Sequence, residues 1–453
     1  MKLKALTLLF LSTSLIGTLG APALAHADEE GAALHPFGRV YTDQYFYTQN
    51  RTSGNTASSV AQSSASLWLG TDVDGTQFTH GLNGHFLGQL DGFLRSPTHP
   101  YDATSSVQLR EGYFSYAASG LDVRLGQQII PWGKSDGVNP TDYFTAKNYT
   151  LLNPDDEVRR SGAPSLNLSL TPNEGNSPWT LQTVVQAYDP QTQLLIPDSA
   201  LPTGLAFSKY PKPPRAFTPE FAEFGVKLAC LRNDFDFSIS YFRGYNHFAE
   251  YVFDPNTSAV NPVNTRQTAV GGDASFTVSN FVFRAESAIL MPDNAKATEG
   301  LNGLVEPWHW DTVLGVERPF LENFRVQAQL LIRSHFEDAN PQNYTSLNPL
   351  VTAVQRAVGQ ANQLILNYQH QNNIGGTLRL AYANEASPWS ADVYLIGYFA
   401  SGQDFLLRPE LGYKFFDSLR LLAGIDQYGG EASRPLGALK NQSDVFFEGK
   451  YTF

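Results

Sequence analysis

The sequence predicts an all-β fold, a closed antiparallel transmembrane β-barrel of about 18 strands (16–18) with a helix in one long outer loop. Three observations carry the prediction: segments of period two recur along the chain, the links between them alternate in length, and each end of the chain has a feature proper to an exported barrel.

At the amino end, "MKLKALTLLFLSTSLIGTLGAPALAHADEE" has Lys2 and Lys4, then an apolar stretch, then Ala25 and Ala27 flanking His26, the small-residue spacing of a signal-peptidase site. Residues 1–27 are expected to be a cleaved secretory signal peptide and residues 28–453 the outer-membrane barrel. The apolar core is short and interrupted by Gly17, Gly20 and Pro22, unlike a retained anchor, and no cysteine follows it to carry a lipid. Beyond it there is no other uninterrupted apolar run of the ~20 residues that a helix needs to span a bilayer. The single cysteine, Cys230, rules out an intramolecular disulfide. Loss of Lys2 and Lys4 takes the formal charge from −12 to −14, which argues against nucleic acid as a partner.

The carboxyl-terminal stretch "SDVFFEGKYTF" alternates Val445, Phe447, Gly449, Tyr451 and Phe453 with Asp444, Phe446, Glu448, Lys450 and Thr452. It reads as a strand with one apolar and one mostly polar face. "DFDFSISY" and "LNGHFLGQLDGFL" follow the same rule. In hydrocarbon every backbone N–H and C=O needs a partner, so the last strand must pair with the first. Tyr451 and Phe453 also resemble the terminal aromatic signature of outer-membrane barrels, which implies the barrel-assembly machinery as a partner alongside outer-membrane lipid.

Candidate strands begin near 37, 63, 77, 106, 121, 163, 178, 220, 234, 265, 280, 307, 322, 374, 389, 404, 418 and 443. Even-numbered strands are followed by tight turns such as "ASGLD" and "FDS", and most odd-numbered ones by long loops over 49–62, 131–162, 189–219, 246–264, 336–373 and 429–442. A soluble sandwich has no reason to sort its loops by parity. Trp179 and Trp389 are then expected near the inner rim, and Trp308, Trp310, Tyr241 and Tyr245 near the outer one.

So wide a barrel encloses a lumen that wall side chains cannot fill. Strand parity turns Arg124, Arg284, Arg325, Arg333, Arg379 and Arg408 inward, as it does Arg420 and the acids Asp122, Glu286, Asp311, Glu410 and Glu448. Facing lipid, such charges would cost a few kcal/mol each near the midplane.

Constriction is assigned to the third outer loop, "LGQQIIPWGKSDGVNPTDYFTAKNYTLLNPDDEVRRSG". Its charged groups, Asp136, Asp142, Asp155, Asp156, Glu157, Arg159 and Arg160, are the expected pore-constriction residues, with Arg159 and Arg160 facing the acids across a polar gap. The loop's place and charges resemble the third loop of general porins, which folds into the barrel and forms an eyelet of acidic and basic groups. The "WG" then "NPTD" string resembles a group of Gram-negative outer-membrane barrels. The resemblance covers the architecture and this loop; the higher strand count and the helix in the seventh loop depart from trimeric porins, and the oligomeric state stays open.

That helix is read from "SLNPLVTAVQRAVGQANQLILNYQHQNN". Leu350, Val354, Val358, Ala361, Ile365 and Tyr368 share one face, Asn348 stands at the cap and Pro349 at the first position. The helix is expected to run to about His370, to pack against Leu194, Leu195 and Ile196 of the fourth loop, and to act as a lid.

Catalytic motifs are absent: there is no G-x-S-x-G, H-E-x-x-H, phosphate-binding loop or cysteine pair. His85, His309 and His335 fall on inward faces and read as wall residues. The acids of "NPDDE" are of calcium-binding type, but clustered acids are ordinarily solvated, and neither metal nor cofactor is expected. The expected function is passive diffusion of small hydrophilic solutes. The alternative is a scaffold barrel, for surface-polymer export or attachment or as a sleeve around a partner protein.

Overall fold

The computed structural model describes residues 33–53, 56–75, 80–95, 106–153, 155–187, 192–196, 206–207, 221–233, 235–293, 305–399 and 402–453. The expected signal peptide lies outside them. Eighteen strands form one closed antiparallel sheet. In chain order they are β1 Ala33–Ser53, β2 Thr56–Asp74, β3 Leu82–Arg95, β4 Ser106–Ala118, β5 Leu121–Gln128 and β6 Ala163–Leu170. There follow β7 Trp179–Ala187, β8 Ala222–Leu231, β9 Phe235–Tyr245, β10 Arg266–Val278, β11 Phe281–Pro292 and β12 His309–Phe320. The circuit ends with β13 Phe324–His335, β14 Asn372–Ala383, β15 Trp389–Tyr398, β16 Asp404–Phe416, β17 Leu419–Gly430 and β18 Asp444–Thr452.

Closure is direct: β18 pairs with β1 from Arg39↔Thr452 to Tyr47↔Asp444. The ladder extends by reciprocal bonds between Gly38 and Phe453, of 2.9 and 3.0 Å. No strand edge of the barrel is left for hydrocarbon to meet.

The loops are sorted by parity. At one rim β4 and β5 are joined by Ser119 and Gly120 alone, both left-handed with φ of 49° and 83°, the two-residue hairpin geometry whose twist matches antiparallel strands. At the other rim lie the long third, fifth and seventh loops. The first outer connection differs from expectation. Instead of a loop over 49–62, β1 and β2 continue and pair out to Ser53↔Thr56, because two facing polar segments satisfy their backbone groups on each other.

Outward faces are apolar: Leu69, Phe114, Leu125, Ile239, Trp310, Leu411 and Phe447 are all exposed. Trp179, Trp389 and Trp308 are exposed as well, near the strand ends where the sequence put them. Two buried apolar clusters form where loop residues meet the barrel wall, and another joins the loops to one another.

Candidate functional site: the loop-lined lumen

The third outer loop, between β5 and β6, is anchored first by apolar contact. Ile130, Trp132, Tyr143 and Phe144 pack with Val184 of β7, Phe242 of β9, Ala269 of β10 and Ala288 of β11. Trp132 and Phe144 meet edge to face at 5.0 Å, and Phe144 meets Phe242 the same way at 5.1 Å. Burying such rings contributes about 1.5–3 kcal/mol each. The wall makes room by omitting a side chain: a Cβ at Gly225 would stand 2.6 Å from the Phe144 ring.

The second anchor is one buried carboxylate. Glu286 of β11 accepts from the backbone N–H groups of Lys134 and Ser135 at 3.0 Å each, and from the N–H and hydroxyl of Thr141 at 2.8 Å each. Gly133 carries φ of +93°, and a Cβ there would lie 2.5 Å from Glu286 Oε1. Asn139 Nδ2 donates to the Ser135 carbonyl at 2.6 Å, and the Trp132 N–H donates to Asp142 at 3.3 Å. The "WG" and "NPTD" residues thus act as one fastening, built around an acid that strand parity turned inward but gave no role.

Ion pairs then divide the loop's charges into two sets. The inner set braces the loop itself: Arg160 pairs with Asp142 at 3.0 Å and with Asp156 at 2.7 Å, and Lys147 reaches Asp156 at 3.4 Å. Burial pushes the Asp156 carboxyl up, but Lys147 and Arg160 outweigh it and hold the group below the usual carboxylate range. Arg160 therefore bonds the acids directly and does not face them across a gap, which corrects the sequence expectation. A mostly buried guanidinium requires paired oxygens.

The outer set meets the barrel wall. Asp136 pairs with Arg379 of β14 at 3.1 Å, Asp155 with Lys450 of β18 at 3.3 Å, and Glu157 with Arg39 of β1 at 2.8 Å. Asn153 donates to Glu448 at 2.8 Å. Arg39 and Lys450 were not among the expected site residues, although the alternation of β1 and β18 turns both inward. Arg159 takes neither kind of acid pair among the described residues; its guanidinium lies over the Tyr149 ring at 5.8 Å.

Six of the inward wall arginines each meet an acid: Arg124 with Asp122 at 3.0 Å, Arg284 and Arg325 with Glu317 at 2.6 and 3.7 Å, and Arg333 with Asp311 at 2.6 Å. Arg379 meets Asp392 at 2.8 Å, and Arg408 meets Asp426 at 2.6 Å.

Between the third loop and the wall of β14 to β18 lies a cavity of about 740 Å³. Its charged lining includes Asp136, Asp155 and Arg159 from the loop, and Arg379, Arg420 and Glu448 from the wall. Aliphatic side chains from other loops also line it, among them Leu195, Leu364, Ile365 and Leu436.

The helix in the seventh loop spans Pro349–Ile365, shorter than expected. Asn348 caps it by accepting from the Leu350 N–H at 2.9 Å. Its main partner is the hairpin of the fifth loop, residues 250–254 with 259–263, and among the described residues of the fourth loop Ile196 alone joins the same cluster. The reason is polar as well as apolar. Asn362 bonds the N–H and C=O of Tyr251 at 2.8 and 2.9 Å, and Gln355 donates to the Phe253 carbonyl at 2.8 Å. Two amides seven residues apart thereby satisfy an otherwise open strand edge, while the expected contact face lacks Leu350, which is exposed.

With this geometry in hand, likeness to solved structures is informative. OccK5 (OpdH) of Pseudomonas aeruginosa superposes with a TM-score of 0.52 at 13% identity, covering 94% of this chain and 98% of that one. OccAB3 of Acinetobacter baumannii gives 0.54 at 11%, covering 93% and 99%. The outer membrane protein opdK of Pseudomonas aeruginosa gives 0.50 at 10%, covering 94% and 99%. The likeness is one of fold. No known family model matches the chain, and no curated protein does.

Proposed function

We propose that this protein is an outer-membrane channel for passive diffusion of small hydrophilic solutes, narrowed by its third outer loop. The observation that carries the reading is the cavity between that loop and the β14 to β18 wall, where acids of the loop oppose bases of the wall. Charged groups of both signs along a polar lining orient water and favour solutes bearing polar or charged groups. The apolar exterior and the fold shared with an outer membrane protein support the compartment. The fold and the charged lining support passage of solutes, and the absence of catalytic sequence motifs supports transport over catalysis.

Single-channel recording of the purified protein in a planar bilayer tests this. Discrete conductance steps in salt are expected. A correctly folded barrel that passes no current would overturn the reading and leave the scaffold alternative.

A further inference from the structure

Outside the cavity lining, one cluster of titratable side chains has no part in the function proposed above. It sits at the outer rim, where β12 begins and β13 ends. His309 and His335 are directly opposite in the β12–β13 ladder, and Glu306 lies three residues ahead of His309. All three are nearly fully buried, at 2%, 4% and 3% exposure.

The geometry points to a transition-metal site, of the zinc class, formed by Glu306, His309 and His335. One ligand atom from each lies within 4.8 Å of the others. His335 Nε2 stands 3.2 Å and His309 Nδ1 3.7 Å from the same Glu306 oxygen. These separations bracket the roughly 3.4 Å expected between ligands bound to one ion at 2.0–2.1 Å in tetrahedral geometry. Two imidazoles with one carboxylate suit zinc and its neighbours, not calcium or magnesium, which prefer oxygen.

The surroundings fit as well. A ligating imidazole ordinarily gives its other N–H to an oxygen. The Pro307 carbonyl lies 2.9 Å from His309 Nδ1 and takes that N–H when Nε2 binds the ion. Glu306 and Asp311 oppose the single guanidinium of Arg333. The negative groups outnumber the positive ones in a buried setting, which favours a further cation. His335 Nδ1 is buried without a hydrogen-bond partner, so protons alone do not complete this ring's bonding.

Arg333 gives the ion a structural consequence. It donates to Glu306 and to the Leu366 carbonyl at the end of the loop helix, both at 3.2 Å. An ion on Glu306 would therefore stiffen the junction between barrel rim and helix.

The test uses the full-length barrel in detergent, stripped with a chelator and titrated with Zn²⁺ by calorimetry and with Co²⁺ by visible absorption. One Zn²⁺ per chain and the intense absorption of low-coordinate Co²⁺ are expected. His309→Gln and His335→Gln should each weaken binding by at least about 100-fold, since loss of an outer-shell partner alone costs 10–100-fold. His85→Gln, at a lumen histidine paired with Asp72, should leave it unchanged. Heat-modifiable gel mobility identifies folded variants, and Glu306→Gln is read in place of any histidine variant that fails to fold. Absence of stoichiometric binding to the parent overturns the site, as does equal binding by the folded variants.

Discussion

At the scale of single residues, the decisive side chains hold the third loop against the wall. Gly133→Ala must place a Cβ in a left-handed conformation and against Glu286, a strain of order 1–3 kcal/mol. The fastening should loosen and open-channel current noise should rise in bilayer recordings, with the barrel itself intact. Arg379→Gln combined with Lys450→Gln leaves Asp136 and Asp155 without their wall partners. The reversal potential in a salt gradient should then shift toward cation preference; an unmoved potential removes these residues from the selectivity path. Strand parity made the inward direction of Glu286 and Arg379 legible in the sequence. Their partners were not legible, because which loop residue meets which strand is a tertiary matter that no local period encodes. The same limit explains Arg160: its charge was evident, but its burial within the loop was not.

At the scale of elements, the third loop's internal brace has a pH dependence whose sign follows from Asp156. Its carboxyl is held low in the folded protein, so its contribution is present above the unfolded value of about 3.9 and is lost as pH falls through the lower folded value. The loop should hold unchanged from neutral pH to about 4 and loosen below it, seen as acid-induced closures or noise. Asp156→Asn should bring that behaviour to neutral pH. The loop helix yields a separate expectation. Replacing residues 347–371 by a short glycine linker touches the barrel ladder only at its end bond, from the His335 N–H to the Gln371 carbonyl at 2.8 Å, and should leave a folded barrel of higher conductance; a folded deletion that conducts like the parent would sink the lid reading. Helix period and cap were plain in the sequence. The docking partner was missed because it depends on Gln355 and Asn362, which look like surface amides until a strand edge is set beside them.

At the scale of the molecule, the 18-strand count and the parity of the links were readable because both arise from local alternation and turn chemistry, which closure of the sheet then enforces. The long β1–β2 hairpin escaped notice since a polar segment reads alike as loop or paired strand. Orientation is testable with single cysteines, since the native Cys230 is buried and contributes little background. A membrane-impermeant maleimide added to intact cells should label Asn256→Cys in the fifth outer loop but not Asn176→Cys in the turn between β6 and β7.

The β1–β18 seam also governs how the chain must reach this state. Register from Arg39 to Thr452 joins the two most distant strands of the sequence, so the contact that seals the sheet is the least local one and should be among the slowest to form. Until it forms, two unpaired edges of amphipathic strand are on offer to any neighbouring chain. The barrel is thus a fold whose hazard is kinetic: its finished state exposes no edge, while each precursor exposes two, and safe folding depends on bringing the ends together faster than chains meet one another.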